Sequence, residues 1–398
     1  MRTDPPGKSS LVSRAARESR KLLRGNLTPR GIMAAAKTPS SVKRNYARIF
    51  CRDASICALG MAGSGDSLLE EMAGQGLRTL AERQADNGQM PNYVDPDSGE
   101  TDFWYVGCID ATLWWLIALE YCERRIPGVG LRAGLRANVE RAIAWLRCQE
   151  HPEHLLLQQN EASDWADIMP RSGYVLYTNA LWHRVKRLYS LPRAEETREN
   201  GDRLFSSGSN GRPSPRRLCL LSRYMRNGRG KENPGELYAS FVNFSFWGGE
   251  GDVFGNLLAV LFGLASGERS HRIVSSLQEE GVDVPFPVRA VCDPIRRQDP
   301  LWRPYMNRHR QNGAYRYHNG GAWPFLGGFW VAALARTGRE REARAALERL
   351  ARMNETNGWA FQEWFHGRTG LPCGMPGQSW NAAMFLLARR SLEEDPFR

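Results

Sequence analysis

The chain has 398 residues, 42% of them hydrophobic and 24% charged, the composition of a globular protein with one large core or two modest ones. No apolar run reaches the roughly 18 residues that a membrane span needs. The net charge of +11 is concentrated at the start: residues 1–48 carry twelve Lys and Arg against Asp4 and Glu18, so the rest is nearly neutral and requires no nucleic-acid partner. Taken in chain order, residues 1–40 read as a basic, Arg- and Ser-rich tail. The tail has no apolar stretch of the secretory kind and is expected to be solvated and dispensable. From residue 41 to 398 helical spacing dominates. Leu69, Met72, Gly76 and Leu80 follow Asp66, a candidate N-cap, and Asp110 precedes Leu113, Trp114, Ile117 and Tyr121. Further helical faces run through Leu135–Leu146, Leu181–Leu188, Leu257–Leu264, Ala343–Leu350 and Ala382–Leu386, with Asp252 as a cap before the third of these. Alternating strand patterns are scarce, so the fold class is mainly α.

Between the helices lie long loops at 86–110, 160–178, 241–256, 312–328 and 358–380, which hold nearly all the unusual polar–aromatic combinations. Helical hairpins of roughly 50–60 residues, closed into a ring, would bring these loops together at one end. Residues 194–236 are polar, and Ser206–Pro213 has no apolar period, which reads as an insertion or mobile loop within the 41–398 domain. Eight Cys form no C-x-x-C pair and seven His show no ligand spacing, as expected of a reduced cytoplasmic protein that uses no metal or other cofactor. Nothing in the pattern speaks to oligomeric state.

Several Trp stand beside carboxylates and amides: Trp104 after Asp102, Trp165 after Asp164, Trp364 after Glu363, and Trp380 close to Gln378. A flat ring beside hydrogen-bonding groups suits a sugar, whose C–H faces stack while its hydroxyls bond. Glycoside hydrolysis needs two carboxyl groups, one protonated and one ionised. Asp167, on a loop with Trp165 and Met169, is the candidate acid, because apolar surroundings raise a carboxyl pKa. Asp164 is its rival, and either could merely cap a helix. Glu363 lies among aromatic residues, where a charge needs a reason: catalysis, or a buried partner such as Arg52 or Arg171. Arg52 and Asp53 form either a sugar-binding pair or a structural one.

Four segments in chain order carry a resemblance. Arg52-Asp53, Asp110-Ala111-Thr112-Leu113-Trp114-Trp115, Tyr317-His318-Asn319-Gly320-Gly321-Ala322-Trp323-Pro324 and Gln378-Ser379-Trp380 resemble motifs of the six-hairpin glycosidases. The types concerned are the amylo-1,6-glucosidase of glycogen debranching and the alkaline/neutral invertases. The resemblance runs from about residue 40 to 390. It implies an (α/α)6 barrel and an inverting, metal-free mechanism, with Asp167 as general acid and Glu363 as general base. It further implies that Asp53, Asp110, His318 and Gln378 bond sugar hydroxyls and that Trp114, Trp323 and Trp380 shape the subsite. Arg52, Asp164, Arg171 and Asn319 complete the expected substrate-binding set. Around the acid the invertases have Asp-Arg-Arg-Met-Gly, where this chain has Asp167-Ile168-Met169-Pro170-Arg171. That departure favours an α-glucosidic bond in a glycogen-type oligosaccharide over sucrose, the alternative disaccharide. A carbohydrate-binding protein without turnover is the third reading.

Overall fold

A computed structural model describes residues 10–206 and 234–398. Among them are twelve α-helices of nine residues or longer, and they alternate in character. Six are buried along nearly every face: α2 (Cys51–Met61), α4 (Ile109–Arg125), α6 (Leu176–Leu188), α8 (Val253–Leu261), α10 (Pro324–Arg336) and α12 (Ser379–Arg390). The other six bury one stripe only: α1 (Leu11–Gly25), α3 (Ser67–Ala81), α5 (Arg136–Gln149), α7 (Ala194–Phe205), α9 (Gly267–Glu279) and α11 (Glu340–Trp359). The last turn of α11 is broken by the non-helical Thr356–Gly358. A helix apolar all round must be covered on all sides, and an amphipathic one can do the covering. The even helices accordingly pack in a closed ring, α2 on α4, α4 on α6, α6 on α8, α8 on α10, α10 on α12 and α12 back on α2. The odd helices lie outside the ring, α3 to α11 each against the inner helix that precedes it and α1 against α12, so the architecture is an (α/α)6 barrel.

Aromatic side chains fill the barrel axis. Trp114, Phe254 and Phe329 are fully buried with ring centroids 4.9–6.2 Å apart. Where α2 crosses α12, a Cβ on Gly60 would collide with the Ala383 backbone, so only glycine permits that approach. Asp66 and Asp252 cap α3 and α8, accepting from the N–H of Leu69 and Gly255, as expected from the sequence.

Connections from an inner helix to the next outer one are short, such as 62–66, 189–193, 262–266 and 337–339. Those from an outer helix back to the next inner one are long and hold the strand pairs. The inner helices therefore all start at the same end, beneath the long loops. The strands there are two or three residues each. β1 (Leu27–Thr28) pairs with β2 (Gly31–Ile32), and β3 (Ile49–Phe50) pairs with β4 (Tyr93–Val94), which pairs with β5 (Thr101–Asp102). Next come β6 (Gln158–Gln159), β7 (Gly173–Val175) and β8 (Phe241–Val242). Finally β9 (Trp364–Phe365) pairs with β10 (Pro372–Cys373).

Two expectations need correction. The segment 1–40 is not a solvated tail where it is described. Residues 11–25 form α1, which packs on α11, α12 and α3 and buries Ala15, Ala16, Ser19 and Leu23. Its buried stripe is built of small residues among arginines, whose heads reach out to Glu355, Asp66 and the Ser64 carbonyl. In the stretch read as an insertion at 194–236, residues 194–205 are α7, an outer helix burying Leu204 and Phe205. Residues 207–233 lie outside the described residues.

Because α1 closes the outer ring, Leu23→Ala should cost about 2–5 kcal/mol of stability, the usual cost of emptying a filled core position. Removing residues 1–25 should lower the urea midpoint far more. A truncated chain that melts like the full one would show that α1 is dispensable.

Candidate active site

The long loops converge on a cavity of about 290 Å³ lined by Asp167, Asp164, Arg52, Asp102, Trp104 and Asn92, among others. Glu363 is not in its wall but lies close to Asp167, since Tyr46 and Tyr317 each sit in the field of both carboxyls and Asp167 raises the Glu363 pKa. Their surroundings differ sharply. The Asp167 side chain is 47% exposed, while the Glu363 residue is 4% exposed. Tyr46 Oη donates to Glu363 Oε1 at 2.8 Å, and the Met375 N–H donates to Oε2 at 2.8 Å. Both bonds favour the ionised form, yet burial outweighs them and pushes the pKa up to about 7. Crowding by the cavity walls pushes Asp167 up to about 6; Arg52 opposes this, while Asp164 and Asp110 add to it. Both carboxyls are thereby held above the ordinary carboxylate range.

Local structure explains both positions. The Glu363 N–H donates to the Met375 carbonyl just before the β9–β10 hairpin, so the side chain projects from a stiff turn. Phe365 and Ala322 exchange backbone hydrogen bonds at 2.8 Å, coupling this hairpin to the loop carrying His318. Gly374 has φ +79°, and a Cβ there would run into the Glu363 carboxylate. The acid loop is held differently. Asp164 accepts from the Ala166 N–H, from Gln159 Nε2 and from Arg171 Nη2, while Asn312 donates to the Ile168 carbonyl. Arg171 also reaches Asp252 at 2.9 Å, tying the loop to the start of α8.

The expected substrate-binding residues fall into three groups. Arg52 and Asp164 line the cavity with Asp167. Asp53, Asp110, His318, Trp323, Gln378 and Trp380 are buried and do not line it. Arg52 bonds Asp53 at 3.1 Å and approaches Asp110 at 3.6 Å, while Tyr177 Oη donates to Asp110. Burial pushes Asp110 up to about 6 against the pull of Arg52. His318 stacks on Trp323, and its Nδ1 is 3.7 Å from Asp167. Burial, with Arg171 and Arg52 nearby, lowers the His318 pKa well below its usual value, so the ring is neutral and this contact is not an ion pair. Gln378 spends its amide on the Met375 carbonyl, and Trp380 stacks on Phe325 at 3.9 Å.

The third group does not reach the site as expected. Trp114 lies in the barrel core, its indole N–H donating to Tyr177 Oη. Asn319 is fully buried and bonds the backbone of Ile295 and Asn312. Arg171 is a buried clamp between Asp164 and Asp252. Conversely, the expected set left out Tyr46, Tyr317, Asn312, Asn92 and the wall formed by Asp102 and Trp104. The Asp102–Trp104 juxtaposition was visible in the sequence; Tyr46 carried no signal, because its partner is 317 residues away.

The same architecture occurs in solved structures. The GH63 mannosylglycerate hydrolase of Thermus thermophilus superposes with a TM-score of 0.64 at 15% identity, over 94% of this chain and all of that one. A protein described as a wild-type glycosidase matches with a TM-score of 0.59 at 16% identity, over 97% and 99%. In sequence, cytosolic invertase 1 of Oryza sativa is 24% identical over 96% of this chain and 77% of its own length. An alkaline/neutral invertase of Arabidopsis thaliana is 24% identical over 96% and 79%. With this fold, and relatives of this kind along nearly its whole length, the chain is a glycoside hydrolase of the six-hairpin type. Within that class it is similar to the alkaline and neutral invertases, whose sequence profile matches residues 221–396. Among the described residues no helix is long and apolar enough to cross a membrane.

Tyr46→Phe removes a donor that favours ionised Glu363, so the Glu363 carboxyl should titrate at higher pH in the variant. The carboxyl ¹³C shift in Glu-labelled protein reads this directly. A shift to lower pH, or none, would mean that the tyrosine does not act on that carboxyl.

Proposed function

We propose that the chain is an inverting, exo-acting hydrolase of a disaccharide, with sucrose as the first candidate, acting in the cytoplasm. The carrying observation is that two neighbouring carboxyls, one in the cavity wall and one buried beside it, have unlike settings. Glu363 is held by two donors from other residues that favour its charge, whereas Asp167 receives only its own backbone N–H among the described residues and opens onto the cavity. A sugar entering the cavity strips water from Asp167 and raises its pKa further, while Glu363 is already buried and changes less. Binding thereby favours the protonated form of Asp167. Asp167 then gives its proton to the departing glycosidic oxygen, and Glu363 takes one from the water that attacks the opposite face of the anomeric carbon. Asp164, already engaged by Arg171, Gln159 and Ala166, serves to hold the acid loop.

The choice of sugar turns on the relatives. The departure around Asp167 favoured an α-1,6-glucosidic substrate in the sequence, but invertases are the relatives that match along nearly the whole chain, and they favour the alternative.

Purified protein should release monosaccharide from sucrose, and less or none from isomaltose, panose or limit dextrin. NMR should detect the product first with inverted configuration. Asp167→Asn and Glu363→Gln should each lower kcat by about 10²–10⁴-fold, the usual worth of general acid–base assistance. Gly374→Ala, which displaces the Glu363 carboxylate, should cost about 10²-fold, as misplacement by about an ångström does. Retained configuration in the first-formed product, or an active Glu363→Gln, would rule this mechanism out.

A further inference from the structure

The open cavity and the two carboxyls are not arranged symmetrically. Asp167 lies in the cavity wall, and Glu363 does not. In an inverting hydrolysis the acid stands beside the leaving oxygen and the base beside the attacking water, on opposite faces of the sugar being cleaved. Space that opens from the acid and excludes the base is therefore space for the departing unit. We infer that the cavity is the subsite for the leaving sugar, with the Trp104 indole as its platform and Asn92 and Asp102 as the groups that read its hydroxyls. This rests on the reaction proposed above and adds the class of its leaving group: a single neutral sugar ring that stacks and hydrogen-bonds at once.

The platform is fixed before any ligand arrives. Trp104 has φ +55°, a left-handed conformation that a bulky residue adopts only when its surroundings impose it. Its backbone N–H donates to Asp102 Oδ2 at 3.0 Å, and its indole N–H donates to the Ala162 carbonyl at 3.2 Å. Both of its donors are thus spent on protein, leaving the ring as a surface for contact. Asp102 Oδ2 also accepts from Asn92 Nδ2 at 2.9 Å, while Oδ1 receives no donor from the described residues. Asn92, Asp102 and Trp104 are therefore one rigid unit on the hairpin of β4 and β5, and Ala162 ties that unit to the acid loop. Preorganisation of this kind spares a ligand the entropy of ordering its site.

The test separates the leaving sugar from the sugar that is cleaved. A glycosyl fluoride has no leaving sugar: water adds at the anomeric carbon, one of its protons passes to Glu363, and the C–F bond breaks to release fluoride. Wild-type enzyme and Trp104→Ala are compared on sucrose, α-glucosyl fluoride and β-fructofuranosyl fluoride. For the fluoride that the wild type accepts, the ratio of kcat/KM on sucrose to kcat/KM on the fluoride should fall by about tenfold or more in the variant. Inhibition by the leaving monosaccharide should weaken in the same sense. Asn92→Ala, which keeps the ring, should also lower the ratio, so the outcome does not hang on one variant's folding. An unchanged ratio in both variants overturns the subsite. A wild type that hydrolyses neither fluoride nor any disaccharide overturns the proposed reaction itself, a result readily told apart from the first.

Discussion

Everything at the catalytic end depends on six helices being buried from end to end and closed into a ring. Such helices cannot point their polar termini just anywhere, because unsatisfied N–H groups in a core are expensive. Parallel packing gathers all six N-termini at one end, where long loops and polar side chains meet them. The first turns touch there: Tyr177 Oη on α6 donates to Asp110 on α4, Arg52 on α2 reaches the same carboxylate, and the Phe325 N–H of α10 donates to Asn381 of α12. Oriented peptide dipoles make that end a favourable place for carboxylates.

Carboxylates are indeed in excess. Among the described residues, Asp53, Asp110, Asp164, Asp167, Glu250, Asp252 and Glu363 gather near two guanidiniums, Arg52 and Arg171, and His318 is neutral. Burial and mutual repulsion push Asp110, Asp167 and Asp252 up to about 6 and Glu363 to about 7. A site so short of positive charge holds its carboxyls closer to neutrality than free ones, the condition the proposed acid catalysis needs. The two arginines also set geometry. Arg171 fixes the acid loop to the start of α8, and Arg52 fixes the starts of α2 and α4 to one another.

The sequence conveyed helices better than it conveyed their surroundings. Strong periodicity placed the helices after Asp66, Asp110 and Asp252, because two of those residues cap and all three precede apolar runs. The N-terminal helix escaped notice because Ala15, Ala16 and Ser19 bury little area each, and the arginines between them dominate the composition. Trp114 looked like a subsite residue because it is aromatic and follows Asp110. One helical turn separates the two, which is enough to carry the tryptophan from the cavity end into the core.

Local chemistry, then, was written in the chain itself: which segments are helical, which loops are rich in aromatic and acidic residues, and which two carboxyls stand in unusual company. What only the tertiary structure decided was partnership. Glu363 owes its donor to Tyr46, Arg171 finds Asp252 across the barrel end, and Trp104 is set against the acid loop by Ala162. Each of these contacts joins residues far apart in the chain. No periodicity encodes them, because they follow from closing the ring and not from any single helix.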